Sequence, residues 1–328
     1  MKSWFGRFIA LAVTVAIFSG VTWALFNWQN LVDRFVASTY QPSSEMQQIV
    51  DTLQLTDEGK FYFFAAQPAL NDRKDFNNNC SHRDKESIIL GCYVPMQHIF
   101  IFDIDDERLT GVKEVTSAHE MLHVAYDRLS ASEKDEVNKL LESELSSITN
   151  EGLQERLAVY ERTEPGEKFN ELHSIIGTEI ASINPELEEY YKQYFEDRKA
   201  IAQMANRYEQ LFNELQQQQE GLAAEVDALA VELNQRVSNY NAEIDSLNSD
   251  ISDFNQKARS GYFEGEASFN IARSELITRQ DQLENERSAI EGLEQRYEQK
   301  RSQLEALNSE AESLNKTIDS RLEPVPSI

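Results

Sequence analysis

The chain has 328 residues, a formal net charge of -26 and five histidines. The length holds one catalytic-size domain plus a further segment. The acidity speaks against a nucleic-acid partner, because no basic surface is left to neutralise phosphates.

Phe8 to Trp28 runs without a charge. As a helix it spans roughly 31 Å, about the thickness of a bilayer core. Trp4, Trp23 and Trp28 fall near the two interfaces, and Lys2 and Arg7 precede the run. This pattern predicts a transmembrane signal anchor over residues 1–30, single-pass in the cell membrane, with a cytoplasmic N-terminus and everything after it extracytoplasmic. The alternative is a cleaved signal peptide, for which Val36-Ala37-Ser38 is a weak site.

Residues 31–183 read as one mixed domain. Gln41 to Glu45 is a juncture, Met46 to Leu55 a short helix, and aromatic Phe61 to Ala66 a strand. Asn71 to Lys85 reads as a loop. Ile88 to Val94 and His98 to Ile104 are strand candidates, and Pro95-Met96-Gln97 between them suits a hairpin. Cys80 and Cys92 fit neither a zinc ribbon nor a redox motif. They are either a disulfide, if the domain lies in an oxidising compartment, or two unrelated buried thiols. Asp103, Asp105, Asp106 and Glu107 lack the glycine and terminal glutamate of an EF-hand loop, so they read as a solvated strand end rather than a Ca²⁺ site.

The most informative stretch is Ala118-His119-Glu120-Met121-Leu122-His123, an H-E-x-x-H pattern. On a helix, His119 and His123 lie one turn apart on one face and can present two imidazoles to one Zn²⁺ ion. Glu120 is placed to take a proton from an activated water. Val115, Ala118, Leu122, Ala125 and Leu129 form an apolar stripe that the histidines border. Downstream, Ser130 to Ile148 is a charged helix opened by the capping box Ser130/Glu133. Leu153 to Tyr160 is a shorter amphipathic piece, and Glu164-Pro165-Gly166-Glu167 a turn. Phe169, Leu172, Ile176, Ile180 and Ile183 form the stripe of a further helix.

Strands leading into an H-E-x-x-H helix resemble the zincin metallopeptidases. The resemblance implies a small antiparallel sheet behind the active-site helix, with His98 to Ile104 near the edge that pairs with an extended substrate. Asn170-Glu171-x-x-Ser174 followed by Ile176-Gly177-Thr178 is similar to the glutamate-ligand helix of thermolysin-like peptidases, the gluzincins. It implies Glu171 as the third zinc ligand beside His119 and His123, with His173 and Glu179 as alternatives. Those peptidases carry a further carboxylate where this chain has Ile175, and Glu179 is a candidate to replace it. Tyr126 stands where the three-histidine zincins have a glycine. His173 and Tyr126 are candidate oxyanion stabilisers, and Tyr160 and Arg162 are further site candidates. The activity implied is zinc-dependent hydrolysis of a peptide or protein substrate, with Glu120 as general base. The alternative is a non-catalytic surface scaffold whose zincin-like domain is degenerate.

Asn184-Pro185 is a helix start. From Leu222 to Phe254 apolar residues step by three and four. Ser260 to Gly265 breaks the pattern, and Phe269, Leu276, Leu283, Ile290, Tyr297, Leu304, Ala311 and Ile318 then repeat every seven residues. Residues 184–323 therefore read as an antiparallel coiled-coil hairpin with its turn near 258–267, followed by a tail over 324–328. A parallel dimer is the alternative, and the coil can serve a homo-oligomer or a protein partner. The expected fold class is an α+β zincin-like domain followed by a long all-α hairpin.

Overall fold

The computed structural model describes residues 2–80, 89–95, 98–148, 154, 162 and 166–321, with side chains from Val13 onward. Tyr160, Glu164, Pro165, the tail over 324–328 and, apart from Gln154, the expected helix over 153–160 lie outside the described residues. The chain forms two compact units. The first is Met1–Gln210 with Asn315–Ile328, and the second is Leu211–Leu314.

The first unit opens with α1 (Lys2–Phe26) and α2 (Trp28–Thr39). The large apolar side chains described on α1, from Val13 to Phe26, are mostly exposed. Among the described residues no helix is long and apolar enough to cross a membrane, so the expected span is not carried by the described part of α1. On α2 the buried Asp33 receives Arg128 through Nε at 3.0 Å and Nη2 at 3.2 Å.

α3 (Ser44–Leu53) begins where Ser43 accepts the Met46 amide. The aromatic run expected as a strand is instead helical, α4 (Asp57–Ala65). Thr56 caps it by accepting the Gly59 amide, and Asp57 and Glu58 in its first turn complement the helix dipole. This local start signal outweighs the strand preference of aromatic residues, whose pattern reports burial as much as backbone preference. β1 (Ala69–Asn71) ends where the expected loop over Asn71 to Lys85 begins, and the described part of that stretch is largely helical, α5 (Arg73–Asn79), capped by Asp72.

β2 (Gly91–Tyr93) and β3 (Ile99–Phe102) form the expected antiparallel pair, Cys92 opposite Phe100. The sheet as a whole is mixed and not antiparallel, because β1 joins β3 in parallel with Leu70 opposite Ile101. The order is β1-β3-β2. The His98 to Ile104 segment thus holds the central strand, and β1 and β2 are the edges. Pairing β3 on both sides buries it, and Ile99 and Ile101 are fully enclosed. A disulfide joins Cys80 at the end of α5 to Cys92 in β2. The acidic cluster after β3 is held by cations: Asp106 pairs with Arg108 and Asp103 with Lys113.

α6 (Val112–Arg128) crosses the centre of the first unit, buried along nearly its whole middle. α7 (Ala131–Leu145) starts with the expected capping box, Glu133 accepting from the Ser130 amide at 2.7 Å. Its acids are not all solvated, for Glu144 is buried and accepts from the amide and side chain of Asn184. α8 (Lys168–Glu179) packs against α6. A Cβ on Gly177 would fall 2.4 Å from Leu122 Cδ1 and 2.9 Å from Tyr191 Cε1, so the missing side chain sets this close approach. Asn184-Pro185 opens a short helix of the first unit, α9 (Pro185–Tyr191), and not the hairpin.

The second unit comprises the greater part of α10 (Arg198–Arg259) and α11 (Glu266–Ile318), joined by the expected glycine-containing turn. Arg236 pairs with Glu286, Lys300 with Glu225 and Arg279 with Glu243, so partner numbers fall as the other strand's numbers rise. The helices are antiparallel. Phe263 closes the tip between Phe254 and Phe269, with ring centres 5.4 Å from each, while Tyr262 stays exposed.

Candidate metal centre

His119, Glu120 and His123 project from the middle of α6, as the one-turn spacing of the histidines requires. Their ligand atoms lie within 4.8 Å of one another. α8 brings Glu171 to them across the α6–α8 contact that Gly177 makes close. Glu171 Oε2 is 3.6 Å from His119 Nε2, and Oε1 is 3.6 Å from His123 Nε2. One carboxylate therefore faces both imidazoles, each through a different oxygen. Glu120, His123 and Glu171 are all 2–3% exposed, and only His119 opens partly to the surface.

His123 is held from behind. Its Nδ1 lies 3.0 Å from Asn170 Oδ1 and 3.3 Å from Ser174 Oγ. With Nδ1 protonated toward Asn170, Nε2 keeps its lone pair toward Glu171. Asn170 in turn is fixed by donating to Glu167 at 2.9 Å. Asn170 and Ser174 border Glu171 by one and three residues, so the sequence displayed them without disclosing their partner.

β2 bears on Glu120 from the other side. A Cβ on Gly91 would fall 2.7 Å from Glu120 Oε1 and 2.6 Å from Thr116 Cγ2. Only a glycine lets the edge strand pass so near the carboxylate. Glu120 Oε2 and His123 Nε2 are buried without a hydrogen-bond partner among the described residues. A buried carboxylate oxygen and an imidazole nitrogen left this way cost free energy in water-excluded surroundings. A cation between His123 Nε2 and Glu171 would remove that cost for the imidazole, and two imidazoles with a carboxylate are a donor set suited to zinc.

Burial pulls the His119 pKa down, but the facing Glu171 carboxylate and the charges of Glu120 and Glu179 outweigh it, and the net shift is upward. Glu179 thus reaches the centre through its charge.

His173 sits two residues beyond Glu171 and leaves the helix on the opposite side. It is fully buried, its Nε2 2.9 Å from the Tyr190 hydroxyl, with the Tyr126, Tyr191 and Tyr194 rings packed around it. Burial first, then the neighbouring His123, lower its pKa to about 3. The Tyr126 hydroxyl donates to Asn138 on α7. Both residues expected as oxyanion stabilisers are therefore engaged in the packing behind the centre. Arg162 is exposed.

Comparison with known proteins brings no relative: no protein-family model, no curated protein and no solved structure matches the chain.

Proposed function

We propose that this chain is a zinc-dependent peptidase of the H-E-x-x-H type, held at a membrane by its N-terminal helix. The observation that carries the reading is the single Glu171 carboxylate facing both His119 Nε2 and His123 Nε2 at 3.6 Å. His119, His123 and Glu171 would hold the metal. A zinc ion there supplies an acidified water and polarises the scissile carbonyl.

Glu120 follows His119 in sequence, so it leaves α6 about a quarter-turn away from the face of the two imidazoles. That offset suits a base and not a ligand. Lying between the centre and β2, it accepts the proton of the attacking water and delivers it to the leaving amine. β2 is the edge strand beside Glu120, and an extended peptide added there brings its backbone past the carboxylate. Asn170 and Ser174 keep the His123 ring oriented throughout.

Three observations support an extracytoplasmic, membrane-anchored setting. Lys2 and Arg7 precede the uncharged run. The large apolar residues of α1 stand exposed, as a lipid-facing helix presents them. The Cys80–Cys92 disulfide fits an oxidising compartment.

The test is zinc content together with hydrolysis of a peptide library by the full chain. Bound zinc and cleavage abolished by Glu120→Gln support a peptidase. A folded chain that binds no zinc and cleaves nothing leaves the scaffold.

A further inference from the structure

Arg198 is the first residue of α10, and Ser320 lies two residues beyond the end of α11. They mark the chain's entry to and exit from the helical hairpin, and both belong to the first unit. Each is 3% exposed, unusual for an arginine and a serine so near the ends of long solvated helices.

At the entry, the Arg198 guanidinium caps the helix that carries Glu171. Nη1 donates to the carbonyls of Ile176 at 3.2 Å and Ile180 at 2.6 Å, and Nη2 to the Ala181 carbonyl at 3.1 Å. The last carbonyls of a helix have no partners within it, and a cation there also meets the negative end of the helix dipole. Glu188 on α9 holds the fork in place, accepting from Nη2 at 2.7 Å and Nε at 3.2 Å.

At the exit, Ser320 Oγ donates to the Ile89 carbonyl at 2.6 Å. Its own carbonyl accepts from Asn77 on α5, and Arg73 on the same helix donates to the Lys316 carbonyl at 3.0 Å. Ile89 stands two residues before Gly91, the residue that abuts Glu120. The disulfide ties α5 to the same strand. The entry thus grips the Glu171 helix, and the exit grips the residues leading into the strand beside Glu120.

We infer that Arg198 and Ser320 are positioning residues for the centre, Arg198 setting Glu171 through the end of α8 and Ser320 setting Glu120 through β2. This rests on the peptidase reading for the roles of Glu171 and Glu120, whereas the two attachments stand without it. The division of labour follows from which group each wall holds. Loosening α8 acts on the metal. Loosening β2 acts on the base and on the peptide.

The experiment uses the full chain carrying Arg198→Met, Arg198→Lys, Ser320→Ala or Ser320→Thr. Three quantities are read: zinc affinity by competition with a chelator, local amide hydrogen exchange without zinc, and kcat and KM on a cleaved peptide. Arg198→Met is expected to weaken zinc about 10-fold or more, the scale of a lost supporting contact, and to raise exchange along α8. Arg198→Lys keeps the charge without the fork and falls between. If the Met variant does not fold, the Lys variant carries this arm.

Ser320→Ala is expected to leave zinc affinity unchanged, raise exchange at Leu90–Tyr93 and lower kcat. Ser320→Thr keeps the hydroxyl and restores both exchange and kcat. Equal losses of zinc and kcat in Arg198→Met and Ser320→Ala, with exchange raised throughout, would mean general stability and overturn the inference, as would no change in any quantity. If the wild-type chain neither binds zinc nor cleaves, the peptidase reading fails, and the exchange pattern alone decides whether the two residues hold α8 and β2.

Discussion

Asn170 Oδ1 and His123 Nδ1 lie 3.0 Å apart, joining the helix of the acidic ligand candidate to the helix of the two histidines. The bond fixes which ring nitrogen carries the proton and so which one faces Glu171. Asn170→Ala is expected to reduce zinc affinity by about 10- to 100-fold, the usual effect of losing the group behind a ligand histidine. Asn170→Asp preserves an acceptor and retains most of it. Chelator competition measures both, with the far-ultraviolet dichroism of each variant expected to match the parent.

Gly91 and Glu120 give a prediction that separates base from metal. An added methyl would meet Glu120 Oε1 at 2.7 Å and Cγ at 2.8 Å, so Gly91→Ala must turn the carboxylate or lift the strand. Hydrolysis is expected to fall by about 100-fold, the low end of what a placed general base contributes. Zinc content should stay at the parent level. Loss of both together would mean that Gly91 serves the packing of α6 and not Glu120.

The Asp33–Arg128 pair fastens α2 to the end of α6, and the Arg128 guanidinium also donates to the Tyr93 hydroxyl at 2.6 Å. Removing one partner leaves a charge without its counterpart in a nearly enclosed place. Asp33→Ala is expected to cost about 3–5 kcal/mol, the range for breaking a buried pair, read as the change in urea midpoint. A change below about 1 kcal/mol would place the pair in the class of solvated surface bridges.

Alkali should unfold the first unit through its tyrosines. Burial raises Tyr40 from 10.0 to about 12, and burial likewise raises Tyr190, Tyr191 and Tyr194. Above pH 10 the unfolded chain releases these protons while the folded chain keeps them, so stability falls as pH rises and is intact below that point. Tyrosinate absorbance is expected to rise in two stages, exposed rings first and the buried group only with unfolding. A single gradual titration without loss of structure would refute it.

Reduction of Cys80–Cys92 releases α5 from β2. The closed loop is short, and cross-links of this size contribute about 3 kcal/mol. The paired Cys80→Ala and Cys92→Ala variant is expected to melt several degrees lower. Hydrolysis should suffer beyond the melting shift, because the freed strand is the one beside Glu120.

The sequence by itself determined whatever depends on neighbours within a turn or two. The one-turn spacing of His119 and His123, the Ser130 capping box, the β2–β3 pair and the break between the hairpin helices all came from local periodicity and capping. Local signals were misleading where two of them competed, as at Phe61–Ala66, where a threonine cap outweighed aromatic strand preference. Only the tertiary structure decided which carboxylate faces the histidines. Glu171 and Glu179 share the downstream helix with His173, and the spacing along it leaves all three available. Gly177 lets α8 come close to α6 with Glu171 turned inward and His173 among tyrosines. The parallel addition of β1, which makes β3 the central strand, is likewise a long-range pairing. So are the holds of Arg198 on α8 and Ser320 on Ile89. Such contacts join residues far apart in the chain, and periodicity carries no record of them.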